Sequence, residues 1–132
     1  MPSPEQMTAA VHAYVEAFDC GDAEAAAAIF ADDAVIEDPI GSPPHVGQAA
    51  IRDFYAASML TDAKLTLTGP LRVAASHVAF SMQVRLNWHG RVMVIDVIDT
   101  MKFNPDGKVA RMQAYFGPSN MADAPTESQT DA

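Results

Sequence analysis

A chain of 132 residues, 49% of them hydrophobic, is long enough for one domain with a real core. Its 17 acids against 8 bases give a formal net charge of -9, which argues against phosphate backbones and anionic membranes as partners. Cys20 is the lone cysteine, so an internal disulfide is excluded and a reducing, cytoplasmic setting is expected.

The opening MPSPEQM has neither a basic patch nor an apolar run, so no signal peptide is expected. No stretch approaches the roughly 20 apolar residues of a membrane span. Ser3-Pro4-Glu5-Gln6 reads as a helix start, with Ser3 as cap, Pro4 in the first turn and Gln6 closing a capping box. Met7, Val11, Tyr14, Val15 and Phe18 follow at helical spacing, and Gly21 stops the run. Asp22 caps a second, alanine-rich helix predicted to reach about Ala31. Val35–Asp38 reads as a short strand broken by Pro39, followed by a Gly/Pro loop and a third helix over Gln48–Ser58.

The period then changes from helical to alternating. Lys64–Thr68 and Val78–Trp88 read as strands, His89-Gly90 as a tight turn, and Arg91–Phe103 as a long strand. Asn104-Pro105-Asp106-Gly107 turns into a last strand, Lys108–Phe116. Residues 1–120 form one domain on this reading, and the small, polar residues 121–132 a disordered tail. Helices first and strands later predict an α+β fold, with helices on one face of a curved sheet and a ligand cavity between the layers. His12, His45, His77 and His89 lack metal-ligand spacing, and HExxH, CxxC and glycine-rich phosphate motifs are missing; no metal or cofactor is expected.

One residue breaks the pattern. Alternate positions of Arg91–Phe103 place Met93, Ile95, Val97, Asp99, Met101 and Phe103 on one face: five apolar residues and an acid. A carboxylate buried there without a partner is costly, so such a group neutralises by raising its pKa. A protonated carboxyl donates a hydrogen bond, which makes Asp99 a candidate donor to a developing oxyanion. The plain alternative is a carboxylate paired with a buried base. Only eight Lys and Arg residues exist, most in polar settings.

Ala31-Asp32-Asp33-Ala34, Glu37-Asp38-Pro39, Gly41, Pro44, Phe54-Tyr55 and Asp96-Val97-Ile98-Asp99 ahead of Phe103 closely resemble Δ5-3-ketosteroid isomerase, from about Met7 to Phe116. The resemblance implies the cone-shaped nuclear-transport-factor-2-like (SnoaL-like) fold, with three N-terminal helices on a curved mixed sheet around an apolar pocket. That family is the established case of a neutral carboxylic acid donating to an oxyanion. It implies isomerisation of a 3-oxo-Δ5-steroid to the 3-oxo-Δ4 product through a dienolate, without a cofactor. Asp38 is then the general base that carries a proton from C4 to C6; Tyr14 and Asp99 donate to the C3 oxygen; Tyr55 hydrogen-bonds Tyr14. Phe30 stands where some members carry a further tyrosine.

Each role has a plain structural alternative: Asp38 as a turn cap at a strand end, Tyr14 and Tyr55 as core tyrosines. Phe54, Phe80, Met82, Val97, Met112 and Phe116 are candidate substrate-lining residues, chemically indistinguishable from core. Val92, Val94 and Ile98, with Trp88 nearby, put an apolar patch on the opposite sheet face, so a twofold homodimer is expected. Rival functions on the same fold are a non-catalytic steroid or lipid carrier, a polyketide cyclase, and an epoxide hydrolase requiring an Asp–Arg–Asp set. Arg85 and Arg111 alternate away from the apolar faces, so that set is not evident.

Overall fold

Three helices pack against one face of an eight-stranded mixed sheet in the computed structural model, which describes residues 1–124. Helix α1 (Pro4–Cys20) starts as expected: the Ser3 hydroxyl accepts from the Gln6 N–H, and the Gln6 side chain accepts from the Ser3 N–H. Gly21 ends it in the left-handed conformation, φ 65° and ψ 35°, which glycine adopts without steric penalty. Met7, Val11, Tyr14, Ala17 and Phe18 form its buried face.

Helix α2 (Ala23–Ala28) is capped by Asp22 but stops three residues short of the predicted end. Strand β1 (Phe30–Glu37) begins there, five residues earlier than expected. Tertiary pairing overrides local propensity: β1 runs parallel to β7 (Val109–Tyr115), with Phe30 opposite Val109 and Ile36 opposite Met112. The register shifts between Phe30 and Val35, so Ala31-Asp32-Asp33-Ala34 forms a bulge on this otherwise buried strand. Helix α3 (Gln48–Met59) matches expectation to one residue and buries Ile51 and Tyr55.

The sheet order is β2-β1-β7-β6-β5-β3, with β2 at His45–Val46 and β3 at Lys64–Leu67. Strands β5 (His77–Trp88) and β6 (Arg91–Phe103) form a long hairpin through His89 and Gly90, both at positive φ, as a tight hairpin turn requires. Strand β4 (Arg72–Ala74) pairs with the start of β5, and β8 (Met121–Asp123) with the start of β6.

The predicted tail is corrected here. Residues 121–123 are a strand and Ala124 is buried; residues 125–132 lie outside the described residues. Strand β8 is held by Arg91, whose guanidinium donates to Asp123 Oδ1 at 2.6 and 3.1 Å, and by the Ala124 N–H donating to the Val92 carbonyl at 2.9 Å. Both are long-range contacts that a small, polar segment does not advertise. No helix among the described residues is long and apolar enough to cross a membrane.

Candidate active site

Three elements converge on one cavity. The inner face of β6 carries Met93, Ile95, Val97, Asp99, Met101 and Phe103, and Asp99 is the sole buried charged-type residue among those described. Across the ladder it lies between Phe80 on β5 and Ala114 on β7. Its exposure is 0%, and neither carboxyl oxygen has a hydrogen-bond partner. No cation among the described residues pairs with it, so the salt-bridged alternative does not apply. Burial raises its pKa well above the ordinary carboxylate value, and the charge of Asp38 pushes it the same way.

Asp38 follows the last residue of β1 and continues the inward alternation of Ala34 and Ile36. The Asp38–Pro39 peptide is cis. The loop beyond is pinned by the Ile40 N–H, which donates to the Ala114 carbonyl at 2.9 Å. Asp38 is only partly buried, and desolvation raises its pKa from 3.8 to about 6. Burial thus raises both acids, Asp38 to about 6 and Asp99, the more deeply buried, well above the ordinary carboxylate value.

Tyr14 enters from the buried face of α1, and its ring meets Phe18 and Tyr55 edge-on, centroids 5.3 and 5.7 Å away. Burial holds its hydroxyl protonated well above the usual phenol range, reinforced by Tyr55, Asp99 and Asp38. Tyr55 is fully buried and likewise raised by burial, against an opposing influence from Tyr14. A hydrogen bond between the two hydroxyls pushes the Tyr14 pKa up and that of Tyr55 down. The Tyr55 hydroxyl also lies within donating reach of Met112 Sδ, at 3.6 Å. Tyr55 further braces the Tyr14 ring, and Phe30 is tilted against Tyr55 at 5.8 Å.

The cavity holds about 500 Å³, within the usual range for small-molecule sites. Tyr14, Asp38, Asp99 and Tyr55 all line it, in a wall otherwise almost wholly apolar. Of the expected lining residues, Phe54, Met82, Val97 and Phe116 are there. Phe80 and Met112 are not: at 1% and 0% exposure they belong to the solid core beneath, where the Phe80–Asp99 and Ile36–Met112 pairs place them. Phe54 is backed by His45, stacked at 4.1 Å. Trp88 is also corrected. It shares the inward parity of Val84 and Leu86 and lines the cavity, not the outer face. The sequence reading missed Phe18, Leu65, Val84, Leu86, Met93 and Met121 as wall; strand parity identifies all of the β5 and β6 members. Among the described residues no group of three His, Cys, Asp or Glu side chains converges as a metal site.

Comparison with known proteins speaks to the family and the fold. Residues 11–112 match the family model of the SnoaL-like domain. Over 121 residues the chain is 38% identical to the Steroid Delta-isomerase of Nocardioides simplex, covering 91% of this chain and 97% of that protein. It also superposes on the solved structure of SalBIII, an epoxide hydrolase/cyclase-like enzyme with a role in pyran ring formation in the polyether salinomycin. The TM-score is 0.87 at 22% identity, covering 94% of this chain and all of the other; at that identity the likeness speaks for the fold. Fold and cavity together define an α+β cone of the nuclear-transport-factor-2-like type. The chain belongs to the SnoaL-like family of that fold, and a steroid Delta-isomerase is among its relatives.

Proposed function

We propose that this protein is a steroid Delta-isomerase that moves the 5,6 double bond of a 3-oxo-Δ5-steroid into conjugation with the C3 carbonyl. The observation that carries this reading is the fully buried, unpartnered carboxyl of Asp99, which opens on the same apolar cavity as Tyr14 and Asp38. Ionised Asp38 removes the C4 proton. Negative charge then gathers on the C3 oxygen as a dienolate. The Tyr14 hydroxyl and the protonated Asp99 both donate to that oxygen, in a site where few water molecules compete. Asp38, now protonated, returns its proton at C6. Atoms balance within the substrate and the enzyme is regenerated.

The wall favours this reading over an epoxide-hydrolase-like one. Among the described residues no arginine lines the cavity; Arg111 is on the outer face, donating to Glu37. Mixing the protein with 5-androstene-3,17-dione and following ultraviolet absorbance tests the reading. Growth of the conjugated-enone band is expected, and tight steroid binding without that band would instead make the protein a carrier.

The pH profile offers a second check. Only ionised Asp38 acts as base, so kcat/KM should fall on the acid side with a midpoint at about pH 6. A midpoint near 4, where an ordinary carboxylate titrates, contradicts the partly desolvated base.

We also propose a cytoplasmic homodimer. Ile98 and Tyr115 face each other on the outer side of the sheet, 51% and 47% exposed, with Ile40 beside them and Val92 further along β6 on the same face. An apolar patch of this kind on a sheet face is suited to a twofold contact. Sedimentation at micromolar concentration should show the dimer, and Ile98→Lys should shift it to monomer; a monomeric parent protein contradicts the assignment.

A further inference from the structure

The apolar wall of the cavity runs further along the β5–β6 ribbon than the four fused rings it is proposed to hold. Its floor is at Asp99, opposite Phe80, and its wall follows the β5–β6 ribbon through Met82–Val97, Val84–Ile95 and Leu86–Met93 to Trp88, opposite Arg91. From position 99 to position 91 is eight residues, or about 26 Å along the curved strand at about 3.3 Å each. A tetracyclic nucleus with its C3 carbonyl spans only about 11 Å, from bonds of about 1.5 Å zigzagging through the rings. With the C3 oxygen held at Asp99, C17 falls near the middle of the ribbon and the rest of the wall lies beyond it.

That remaining wall is apolar and graded towards solvent. Val97 and Ile95 are buried, Met93 and Leu86 half-buried, and Trp88 is 52% exposed. The Asn87 N–H donates to the Thr61 carbonyl at 2.9 Å, which brings the turn after α3 alongside this end. Met121 of β8 closes another side. His89 packs edge-on against the indole at 4.7 Å. The hydroxyls near this end give little purchase to an oxygen. Ser58 donates to the Phe54 carbonyl at 2.9 Å, and Thr61 to the Ser58 carbonyl at 2.6 Å.

We infer that this mouth, formed by Leu86, Trp88, Met93 and Met121, receives an aliphatic side chain at C17, so that the preferred substrates are alkyl-bearing 3-oxo-Δ5-steroids rather than 17-oxo ones. The inference rests on the isomerase reading above. Burying an alkyl chain against half-exposed apolar residues removes both surfaces from water, whereas a C17 oxygen would exchange water for an apolar wall.

The test compares 5-cholesten-3-one with 5-androstene-3,17-dione, both delivered in methyl-β-cyclodextrin, with KM expressed as free steroid. A KM about tenfold lower for the alkyl compound is expected. Trp88→Ala should shrink the ratio of the two KM values to about threefold or less, and Met93→Ser, a smaller change at the same mouth, should act in the same direction. Turnover of the 17-oxo compound with an equal or lower KM, as an indole N–H reading the C17 oxygen would give, overturns the inference and leaves the isomerase reading standing. A KM ratio untouched by both substitutions also overturns it. Turnover of neither steroid overturns the isomerase reading itself.

Discussion

Asp38→Asn is expected to reduce turnover by on the order of 10⁴-fold, the upper end of what a positioned general base contributes. The amide keeps the size and hydrogen-bonding reach of the carboxyl but cannot carry a proton from C4 to C6. Steroid binding should survive, because the wall, Tyr14 and Asp99 are untouched. The substitution has a second, opposite consequence for stability. The pKa of Asp38 is raised on folding from 3.8 to about 6, so between these values the folded protein holds more protons than the unfolded chain. Stability therefore falls as pH rises through that window. The difference of about 2.2 pH units, at 1.36 kcal/mol each, amounts to about 3 kcal/mol. Asp38→Asn removes this liability, so the variant should melt higher than the parent at pH 8, with the gap closing towards pH 4. Near-parental kcat in the variant contradicts the base assignment, and a melting temperature no higher at pH 8 contradicts the desolvation.

The second large effect belongs to Asp99. Asp99→Leu is expected to lower kcat by about 100–1000-fold, the usual consequence of losing one preorganised oxyanion donor. Asp99→Asn keeps an N–H donor of similar reach and should lose considerably less. The order Asp, then Asn, then Leu distinguishes a hydrogen-bond donor from a negative charge. A charged Asp99 that assisted catalysis would leave Asn and Leu equally impaired. Leu at this position should also stabilise the fold by about 1–3 kcal/mol, since neither carboxyl oxygen has a partner and the neighbours Val97, Met101 and Phe80 are apolar. Chemical denaturation of the two variants measures that gain. Activity and stability are set against each other at both acids, as expected where a fold holds polar groups ready for a transition state.

What was legible in the chain follows from how local each signal is. The start of α1 was written in Ser3, Pro4 and Gln6, and the β5–β6 hairpin in two alternating runs around His89-Gly90. Asp99 stood out because strand parity is strict: one acid among five apolar residues has no bland surface position to occupy. The edges were harder. Strands β2, β4 and β8 are two or three residues long, too short to show a period, and exist through pairing with distant partners. The alanine run of α2 hid the start of β1, which depends on Val109 nearly eighty residues away.

Within the site, Tyr14 alone reads as core, since a helix face that buries Val11 and Phe18 buries a tyrosine equally well. Phe80 and Met112 read as wall because cavity and core use the same side chains. Phe80 pairs with Asp99 across the ladder and Met112 lies against the Tyr55 hydroxyl, which puts both behind the site. Trp88 has the parity of Leu86, yet an aromatic beside a turn reads equally well as part of the outer patch.

The protonation of Asp99 in the ligand-free protein is what the account depends on, and infrared difference spectroscopy of the parent against Asp99→Asn at pH 8 reads it directly. Asp38 is ionised at that pH, so a protonated-carboxyl C=O band present in the parent and missing from the variant is the expected result. A difference spectrum showing only the loss of a carboxylate band would mean that Asp99 is charged, and a charged Asp99 cannot donate to the dienolate.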